Sequence, residues 1–190
     1  MKAENISCIV IDYRQAAFQA ISHLIDLGHR RIAYLAGPSQ SEVAKHQYQG
    51  FAEAMEKANQ VVDTTLCPDC FPNIEGGFSA MVSLLALPPE KRPTGVLAYN
   101  DLVAFGAMRA IRLKGLRIPG DISIIGSDNI EMSDQINPPL TTLSPDKKRI
   151  GTLSVQTLNR MIENEYTIGD GFVQIEAPLM LRYSTGPVKN

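Results

Sequence analysis

The sequence predicts an α/β fold, a three-layer α-β-α sandwich built around a mainly parallel β-sheet. Short apolar runs of strand length alternate along the chain with longer stretches in which apolar residues recur at helical spacing. Strands joined by helices of this length require right-handed crossovers, which give a parallel sheet covered by helices on both faces. A length of 190 residues with 44% hydrophobic residues is enough for one domain, or for one domain and part of a second.

Three strand-then-helix units are predicted in the first half of the chain. The apolar run 6–12 is followed by residues at helical spacing until Gly28, and the run 32–37 is followed by a helix with one apolar face. The same order repeats from 61–66, which is predicted as the third strand. The helix after it has the i, i+3, i+4, i+7 apolar pattern, formed by Phe78, Met81, Val82 and Leu85.

Two more strands are predicted in the next part of the chain. Residues 95–99 form an apolar run, and the helix that follows carries apolar residues on one face until Gly115 ends it. Residues 121–126 form the fifth strand, which the chain enters through the turn residues Pro119 and Gly120.

The pattern changes after the fifth strand. Residues 140–168 predict a short strand and then a long helix, which Asp146 opens and which runs to about Tyr166. Residues 173–185 predict one interrupted strand, or two short strands, around Pro178.

Composition excludes several classes of protein. With 18 basic and 20 acidic residues the net charge is −2, so the chain lacks the basic surface of a nucleic-acid binder. No apolar run approaches the roughly 18 residues that cross a bilayer, and the first residues do not resemble a secretion signal. Three cysteines, of which only Cys67 and Cys70 are close together, form no disulfide framework. We therefore expect a cytoplasmic protein with no membrane partner.

Polar side chains follow the predicted strands. In an open parallel sheet, ligands bind beyond the carboxyl ends of the strands, because loops converge there and helix amino termini point N–H groups at the site. The residues at these ends are Asp12, Ser39 to Ser41, Asp69 with Phe71, Asn100 with Asp101, and Asp128 with Asn129. No Lys or Arg comes directly after a strand, and carboxylates with amides suit neutral, hydroxyl-bearing ligands such as sugars and polyols.

The same residues also have structural explanations. Asp and Asn at the end of a strand are favoured N-caps of the next helix, and capping is the preferred interpretation for Asp12 and Asp101. Asn100 and Asp128 each share a loop with another polar residue that could provide the cap, so we assign them to ligand binding.

Three ring-bearing side chains are open to two interpretations. Phe71 and Phe78 could stack on the apolar face of a sugar, but Phe78 also belongs to the apolar stripe of its helix. His29 is predicted as a cation at a helix end, where the macrodipole favours it, rather than as a catalytic group.

Motifs for enzyme chemistry are absent from the sequence. Neither G-x-G-x-x-G after a strand, nor a P-loop, nor G-x-S-x-G occurs. Cys67 and Cys70 form a C-x-x-C pair that could serve redox chemistry or, with two more ligands, zinc, but no second pair accompanies it. No acid, base and nucleophile set can be assembled. We expect no catalytic residue, no metal and no cofactor.

Three segments of the sequence resemble one known family. They are LGHRRIAYLAGP (27–38), YNDLVAFGAMRAIRLKGLRIPGDISIIGSDN (99–129) and PPLTTLSPD (138–146), and in order and separation they are similar to the effector-binding domain of LacI-type transcriptional repressors over about residues 8–185. The resemblance implies a periplasmic-binding-protein-like fold of two lobes with a small effector in the cleft. It also implies a helix-turn-helix headpiece that binds operator DNA as a homodimer.

The resemblance assigns ligand-binding residues. Positions that contact the effector in the family are occupied here by Ser41, Gln47, Phe78, Asn100 and Asp128. Gln47 stands where the R-x-x-G motif of the family places an arginine, so an anionic effector is disfavoured. Asn129 replaces the usual second aspartate and Ser127 replaces a common aromatic residue, so the identity of the effector cannot be copied from a relative.

The resemblance also divides the chain. Residues 6–139 and 172–186 correspond to the C-terminal lobe, and residues 140–171 to a segment of the N-terminal lobe. Relative to the family, the headpiece and most of the first lobe are absent from this chain. The apolar stripe of the returning helix, Ile150, Leu153, Leu158, Met161 and Ile162, would gain on the order of 10 kcal/mol on burial. We expect this helix to dock against a second copy, to fold back on its own sheet, or to be mobile.

Three functions are weighed. The first is the effector-sensing domain of a LacI-type repressor, in which a sugar or nucleoside-like ligand shifts the arrangement of the lobes and the DNA affinity of the full-length protein. The alternative is an exported sugar-binding protein of a transporter, which a secretion signal would indicate. An enzyme acting on a sugar or nucleotide is the third, and only the fold favours it.

Overall fold

The computed structural model of the protein describes residues 8–163 and 172–188. Its strands are β1 (Cys8–Ile11), β2 (Ile32–Leu35), β3 (Gly95–Ala98), β4 (Ser123–Ser127), β5 (Thr141–Leu143), β6 (Phe172–Ile175) and β7 (Leu179–Met180). Its α-helices are α1 (Tyr13–Asp26), α2 (Glu42–Lys57), α3 (Ile74–Leu85), α4 (Asp101–Leu113), α5 (Met132–Gln135) and α6 (Lys147–Ile162). The alternation predicted from the sequence is therefore present.

The described residues group into two compact units. The larger unit contains residues 13–144 and 178–188, and the smaller contains residues 8–12, 145–163 and 172–177. This division differs from the boundaries expected from the resemblance, which placed 6–139 and 172–186 together and 140–171 apart. Strand pairing is the physical reason: β5 pairs with β4, whereas β1 pairs with β6.

The larger unit is a sheet between two layers of helices. Its five strands lie in the order β2-β3-β4-β5-β7, parallel from β2 to β5 and antiparallel at β7. Leu35 and Val96 pack in one core cluster with residues of α3 and α4. Tyr34 points to the opposite face, where its ring stacks on Phe51 of α2. The predicted three-layer sandwich is confirmed.

The predicted strand at 61–66 is wrong. Asp63 accepts hydrogen bonds from the backbone N–H (2.9 Å) and the hydroxyl (2.6 Å) of Thr65, and the chain turns into a 3₁₀ helix at Thr64–Leu66. A single parallel bridge between Ala36 and Asp69 occupies the position beside β2 instead. A local side-chain cap therefore overrides the extended conformation that the pattern predicted.

The smaller unit pairs two strands and carries one long helix. β1 and β6 are parallel, with Cys8 opposite Phe172. Asp146 caps α6 by accepting a hydrogen bond from the Arg149 N–H (2.8 Å), which confirms the predicted start of this helix. The predicted end near Tyr166 lies outside the described residues. No residue of α6 is buried, and Leu158 of the predicted stripe is 57% exposed. The expectation that the apolar stripe of α6 docks against a second copy, folds back on its own sheet or is mobile stays a prediction.

The end of the chain contains the two short strands that the sequence allowed. β6 and β7 lie on either side of Pro178, which confirms two short strands.

His29 is buried, which differs from its predicted role. His29 is not an exposed cation at a helix end, because only 1% of it is exposed. Its Nε2 lies 3.0 Å from the Gly186 carbonyl, which can only accept, and its Nδ1 lies 3.0 Å from the Thr94 hydroxyl. Burial lowers the pKa of His29, so the ring is neutral in the fold.

His29 makes the stability of the fold depend on pH. Burial lowers the pKa of His23 as well, so below about pH 6.5 the unfolded chain takes up protons that the fold excludes. We expect the free energy of unfolding to fall as the pH is lowered from about 7 to 5, by up to ~1.4 kcal/mol per pH unit for each histidine. Urea denaturation of wild type and His29→Gln over this range would measure it.

The His29→Gln variant should lose part of this slope and also about 1–3 kcal/mol at pH 7, because it gives up buried hydrogen bonds. His46→Gln is the matched control, since His46 is exposed on α2. An unchanged slope in His29→Gln would contradict the assignment.

Candidate functional site

The carboxyl ends of the central strands bring hydroxyl and carboxylate groups together. The Ser41 hydroxyl, after β2, lies 3.1 Å from the Tyr99 hydroxyl, after β3. The pKa of Tyr13, the first residue of α1, is raised to about 12, first by burial and then by the negative charge of Asp128, which follows β4. We call Tyr13, Ser41, Tyr99, Asn100 and Asp128 the strand-end cluster. It has the composition of a site for a polar, hydroxyl-bearing ligand.

Two members of the strand-end cluster were not singled out from the sequence. Tyr13 lies two positions beyond β1 and Tyr99 lies one position beyond β3, so their location was readable. Their pattern, however, is that of an ordinary helix start and of the last residue of an apolar run. Only the fold brings Tyr13 close to the Asp128 carboxylate and to Tyr99.

The residue that caps α4 is Asn100 and not Asp101. Asn100 is the N-cap of α4: its Oδ1 accepts from the Val103 N–H at 2.8 Å, and its Nδ2 donates to the Pro72 carbonyl at 3.3 Å. The expectation that Asp101 is the cap is therefore wrong. Because Asn100 provides the cap, the Asp101 side chain can accept hydrogen bonds from other segments.

Asp101 is a buried carboxylate that organises the loops below the site. Only 1% of the residue is exposed, and it accepts hydrogen bonds from Ile130 N–H (2.9 Å), Ser133 hydroxyl (2.6 Å) and Thr142 hydroxyl (2.6 Å). These donors belong to the loop after β4, to α5 and to β5. A Cβ on Gly126 would lie 2.2 Å from Asp101 Oδ1, so the glycine gives the carboxylate its space.

The turn after β4 holds two residues in the left-handed region. Asp128 has φ 107° and Asn129 has φ 48°, conformations that cost a non-glycine residue on the order of 1–3 kcal/mol each. The Asp128 N–H donates to the Leu143 carbonyl at 2.9 Å, and the Asn129 N–H donates to the Thr142 hydroxyl at 3.3 Å. The end of β5 therefore holds the turn that carries Asp128.

Gln47 lies inside the protein, behind the strand-end cluster. It is fully buried, and its Oε1 accepts from the Tyr34 hydroxyl at 2.9 Å. Its Nε2 donates to the Tyr99 carbonyl at 3.1 Å and lies 3.5 Å from the Ser127 hydroxyl. The amide is thus hydrogen-bonded at both ends and braces Tyr99. Its contact with a ligand stays a prediction.

The two phenylalanines occupy different places. The Phe78 ring lies 4.9 Å from the guanidinium carbon of Arg109 on α4, in a groove between α3 and α4. Phe71 is 77% exposed and precedes Pro72, whose carbonyl accepts from Asn100. Phe71 thus precedes the residue whose carbonyl Asn100 binds. The contact of either ring with a ligand stays a prediction.

The described residues offer no metal or thiolate site. Residues 8–163 and 172–188 contain no group of three His, Cys, Asp or Glu side chains arranged to hold a metal ion. Burial raises the pKa of both Cys67 and Cys70 to about 11, which disfavours the reactive thiolates. Within the same ranges, none of the helices has the length and apolar character needed to cross a bilayer.

Comparison with known proteins identifies the family. A profile of the periplasmic-binding-protein-like domain matches residues 21–185. The chain belongs to this family, in the form found in LacI-type regulators. The transcriptional repressor CytR of Escherichia coli (strain K12) is 34% identical over 181 residues, which cover 95% of this chain and 52% of that protein. The chain thus spans about half the length of the curated relatives that it matches.

Solved structures of LacI-type regulators have a fold similar to that of this chain. A LacI family transcriptional regulator from Enterococcus faecium with bound ribose has a TM-score of 0.90 and 29% identity, covering 100% of this chain and 69% of that chain. A dimeric lac repressor lacking 11 C-terminal residues has a TM-score of 0.87 and 31% identity, covering 95% of this chain and 63% of that chain. The resemblance of the three segments is confirmed, and with it the predicted fold.

Replacement of the buried carboxylate tests the organisation of the site. Asp101→Asn turns one acceptor into a donor that faces a donating N–H or hydroxyl, so we expect the free energy of unfolding to fall by about 3 kcal/mol. Urea denaturation would measure the loss. Asp134→Asn is the matched control, because Asp134 is exposed on the neighbouring helix α5. Equal stabilities of the two variants would contradict the role of Asp101.

Proposed function

We propose that this chain is the effector-sensing domain of a LacI-type transcriptional repressor that acts in the cytoplasm. The observation that carries the proposal is the strand-end cluster, where hydroxyl groups and the Asp128 carboxylate converge at the carboxyl edge of the sheet. A small ligand bound there favours one arrangement of the full-length protein and so changes its affinity for operator DNA. Operator DNA is bound through the helix-turn-helix headpiece of the full-length protein. The ligand is detected and not transformed.

The ligand that best fits the cluster is a neutral, hydroxyl-rich molecule, a sugar or a nucleoside-like compound. Ligand hydroxyls can donate to Asp128 and exchange hydrogen bonds with Ser41 and Asn100. Gln47 supplies a neutral amide in place of the family arginine, which removes charge-assisted binding of an anion. Phe71 offers a ring for stacking on an apolar sugar face. The relative from Enterococcus faecium, solved with ribose, supports this class of ligand.

The named relatives favour this function over an exported sugar-binding protein. CytR, the regulator from Enterococcus faecium and the lac repressor are all regulators of transcription. An enzyme has no support from the cluster, because its groups do not form an acid, base and nucleophile set among the described residues.

A binding screen tests the ligand site. Isothermal titration of the chain with D-ribose, cellobiose, cytidine and ribose 5-phosphate should give binding of at least one neutral compound and weaker binding of the phosphate. Asp128→Asn, which tolerates the left-handed backbone, should weaken that binding by about tenfold, since a hydrogen bond to a charged acceptor is lost.

Asp134→Asn is the control for the binding screen and should bind as wild type does. Equal binding by Asp128→Asn and wild type would remove Asp128 from the site. Tighter binding of ribose 5-phosphate than of ribose would contradict the neutral ligand class.

We propose in addition that the domain forms a homodimer through the groove between α3 and α4. The groove has a volume of about 260 Å³, and most of its lining is apolar, from Phe78, Val82, Leu85, Ala86, Ala110 and Leu113, with Lys114 at one side. Leu113 is 72% and Val82 is 46% exposed. Contiguous apolar surface of this kind marks interaction sites, and the lac repressor relative was solved as a dimer.

A charge placed in the groove tests the dimer. Leu113→Glu should raise the dissociation constant of the dimer by about tenfold or more, because the carboxylate would lose its water on entering a mostly apolar interface. Sedimentation velocity over a range of concentrations would measure the shift to monomer. Val61→Glu is the matched control, because Val61 is 90% exposed and lies outside the groove. A monomeric wild type, or identical behaviour of the two variants, would contradict this interface.

A further inference from the structure

The turn that carries Asp128 is hydrogen-bonded to Arg182, which follows the last strand, β7. Arg182, just after β7, donates through Nη2 to Asn129 Oδ1 at 2.7 Å and through Nη1 to the Leu140 carbonyl at 2.7 Å. Its backbone N–H donates to the Thr141 hydroxyl at 3.0 Å. One side chain therefore connects the loop after β4 with the segment that enters β5.

The amide of Asn129 is held from its other end as well. Its Nδ2 donates to the Ser144 hydroxyl at 2.9 Å, while its Oδ1 accepts from Arg182. An amide can accept and donate at the same time, whereas an aspartate at this position would only accept. The asparagine that replaces the usual aspartate of the family thus fits the two partners it meets.

The hydrogen bonds of Asn129 stabilise a turn whose backbone conformation is unfavourable for residues other than glycine. Asp128 and Asn129 both have positive φ, at 107° and 48°. Backbone of this kind persists only where the surrounding structure fixes it, and such residues concentrate at ligand sites. The side chain of Asn129 is the part of the turn that Arg182 reaches.

We propose that Arg182 is a positioning residue of the ligand site, which acts on Asp128 by fixing the side-chain amide of Asn129. The proposal deepens the proposed function and rests on it, since it concerns the same site. Arg182 follows β7, and it donates to Asn129, to the Leu140 carbonyl and to the Thr141 hydroxyl. Its proposed effect on a ligand passes through Asn129 and the turn.

Hydrogen exchange of the unliganded chain tests the proposal. Arg182→Met should raise the exchange rate of the Asp128 and Asn129 amides by about tenfold or more, because the turn opens more often without the arginine. Amides in the centre of the sheet, Val96 and Ile125, should change less than twofold by the same measurement. Nuclear magnetic resonance resolves these amides individually.

A double variant separates positioning from general loss of stability. If Arg182 acts through Asn129, Arg182→Met with Asn129→Ala should exchange at Asp128 no faster than Asn129→Ala alone. The ring signals of Tyr13 and Tyr99 should shift in Arg182→Met in the same direction as in Asp128→Asn.

Arg92→Met is the matched control, because Arg92 is also half-buried and donates to a backbone carbonyl, that of Leu87, at 2.8 Å. It should leave the Asp128 amide and the tyrosine signals unchanged. Unchanged exchange at Asp128 in Arg182→Met, a uniform rise over the whole sheet, or additive effects in the double variant would each overturn the proposal. Since no ligand is present, absence of binding in the screen would instead overturn the proposed function alone.

Discussion

The Asp101 carboxylate is the constraint on which the ligand edge depends. A buried carboxylate is tolerated only when its oxygens are well hydrogen-bonded, and here the donors come from the loop after β4, from α5 and from β5. These three segments follow one another in the chain, and no single helix or strand contains all three donors. Their common acceptor lies at the start of α4, so the helix start, the loop and the strand are fixed as one body.

A chain of hydrogen bonds connects this carboxylate with the turn that carries Asp128. The Thr142 hydroxyl donates to Asp101 and accepts from the Asn129 N–H, so a single hydroxyl joins the buried acceptor to the backbone above it. The strained turn is thereby held from below by Thr142 and from the side by Ser144. The turn that carries Asp128 is therefore held by polar groups of the neighbouring strand and loop.

The parts of the fold that were predictable share one physical basis. β3 (Gly95–Ala98) and β4 (Ser123–Ser127) are buried along their whole length, so their apolar runs were readable, and Asp146 caps its helix by a local rule. The error at 61–66 came from Asp63, whose side chain competes with the extended backbone. The error at His29 arose because its partners Ser123 and Gly186 lie 94 and 157 residues away in the sequence.

The candidate site was predictable to the same limited extent. The rule that ligands bind at strand ends selected Ser41, Asn100 and Asp128. In the fold they follow β2, β3 and β4, and their contact with a ligand stays a prediction. The rule could not tell that Asn100 rather than Asp101 caps α4, because both side chains satisfy the capping preference. Nor could it separate Phe71 from Phe78, since the path of the loop before α3 depends on contacts distant in sequence.

The Ser41–Tyr99 hydrogen bond has a consequence for selectivity. Tyr99 is held at its carbonyl by Gln47 and at its hydroxyl by Ser41, so the phenol already has a partner before any guest arrives. A molecule that inserts between the two hydroxyls must offer them equivalent bonds or leave both unsatisfied. In the proposed ligand site, an apolar compound is disfavoured because it would leave both hydroxyls without a hydrogen bond.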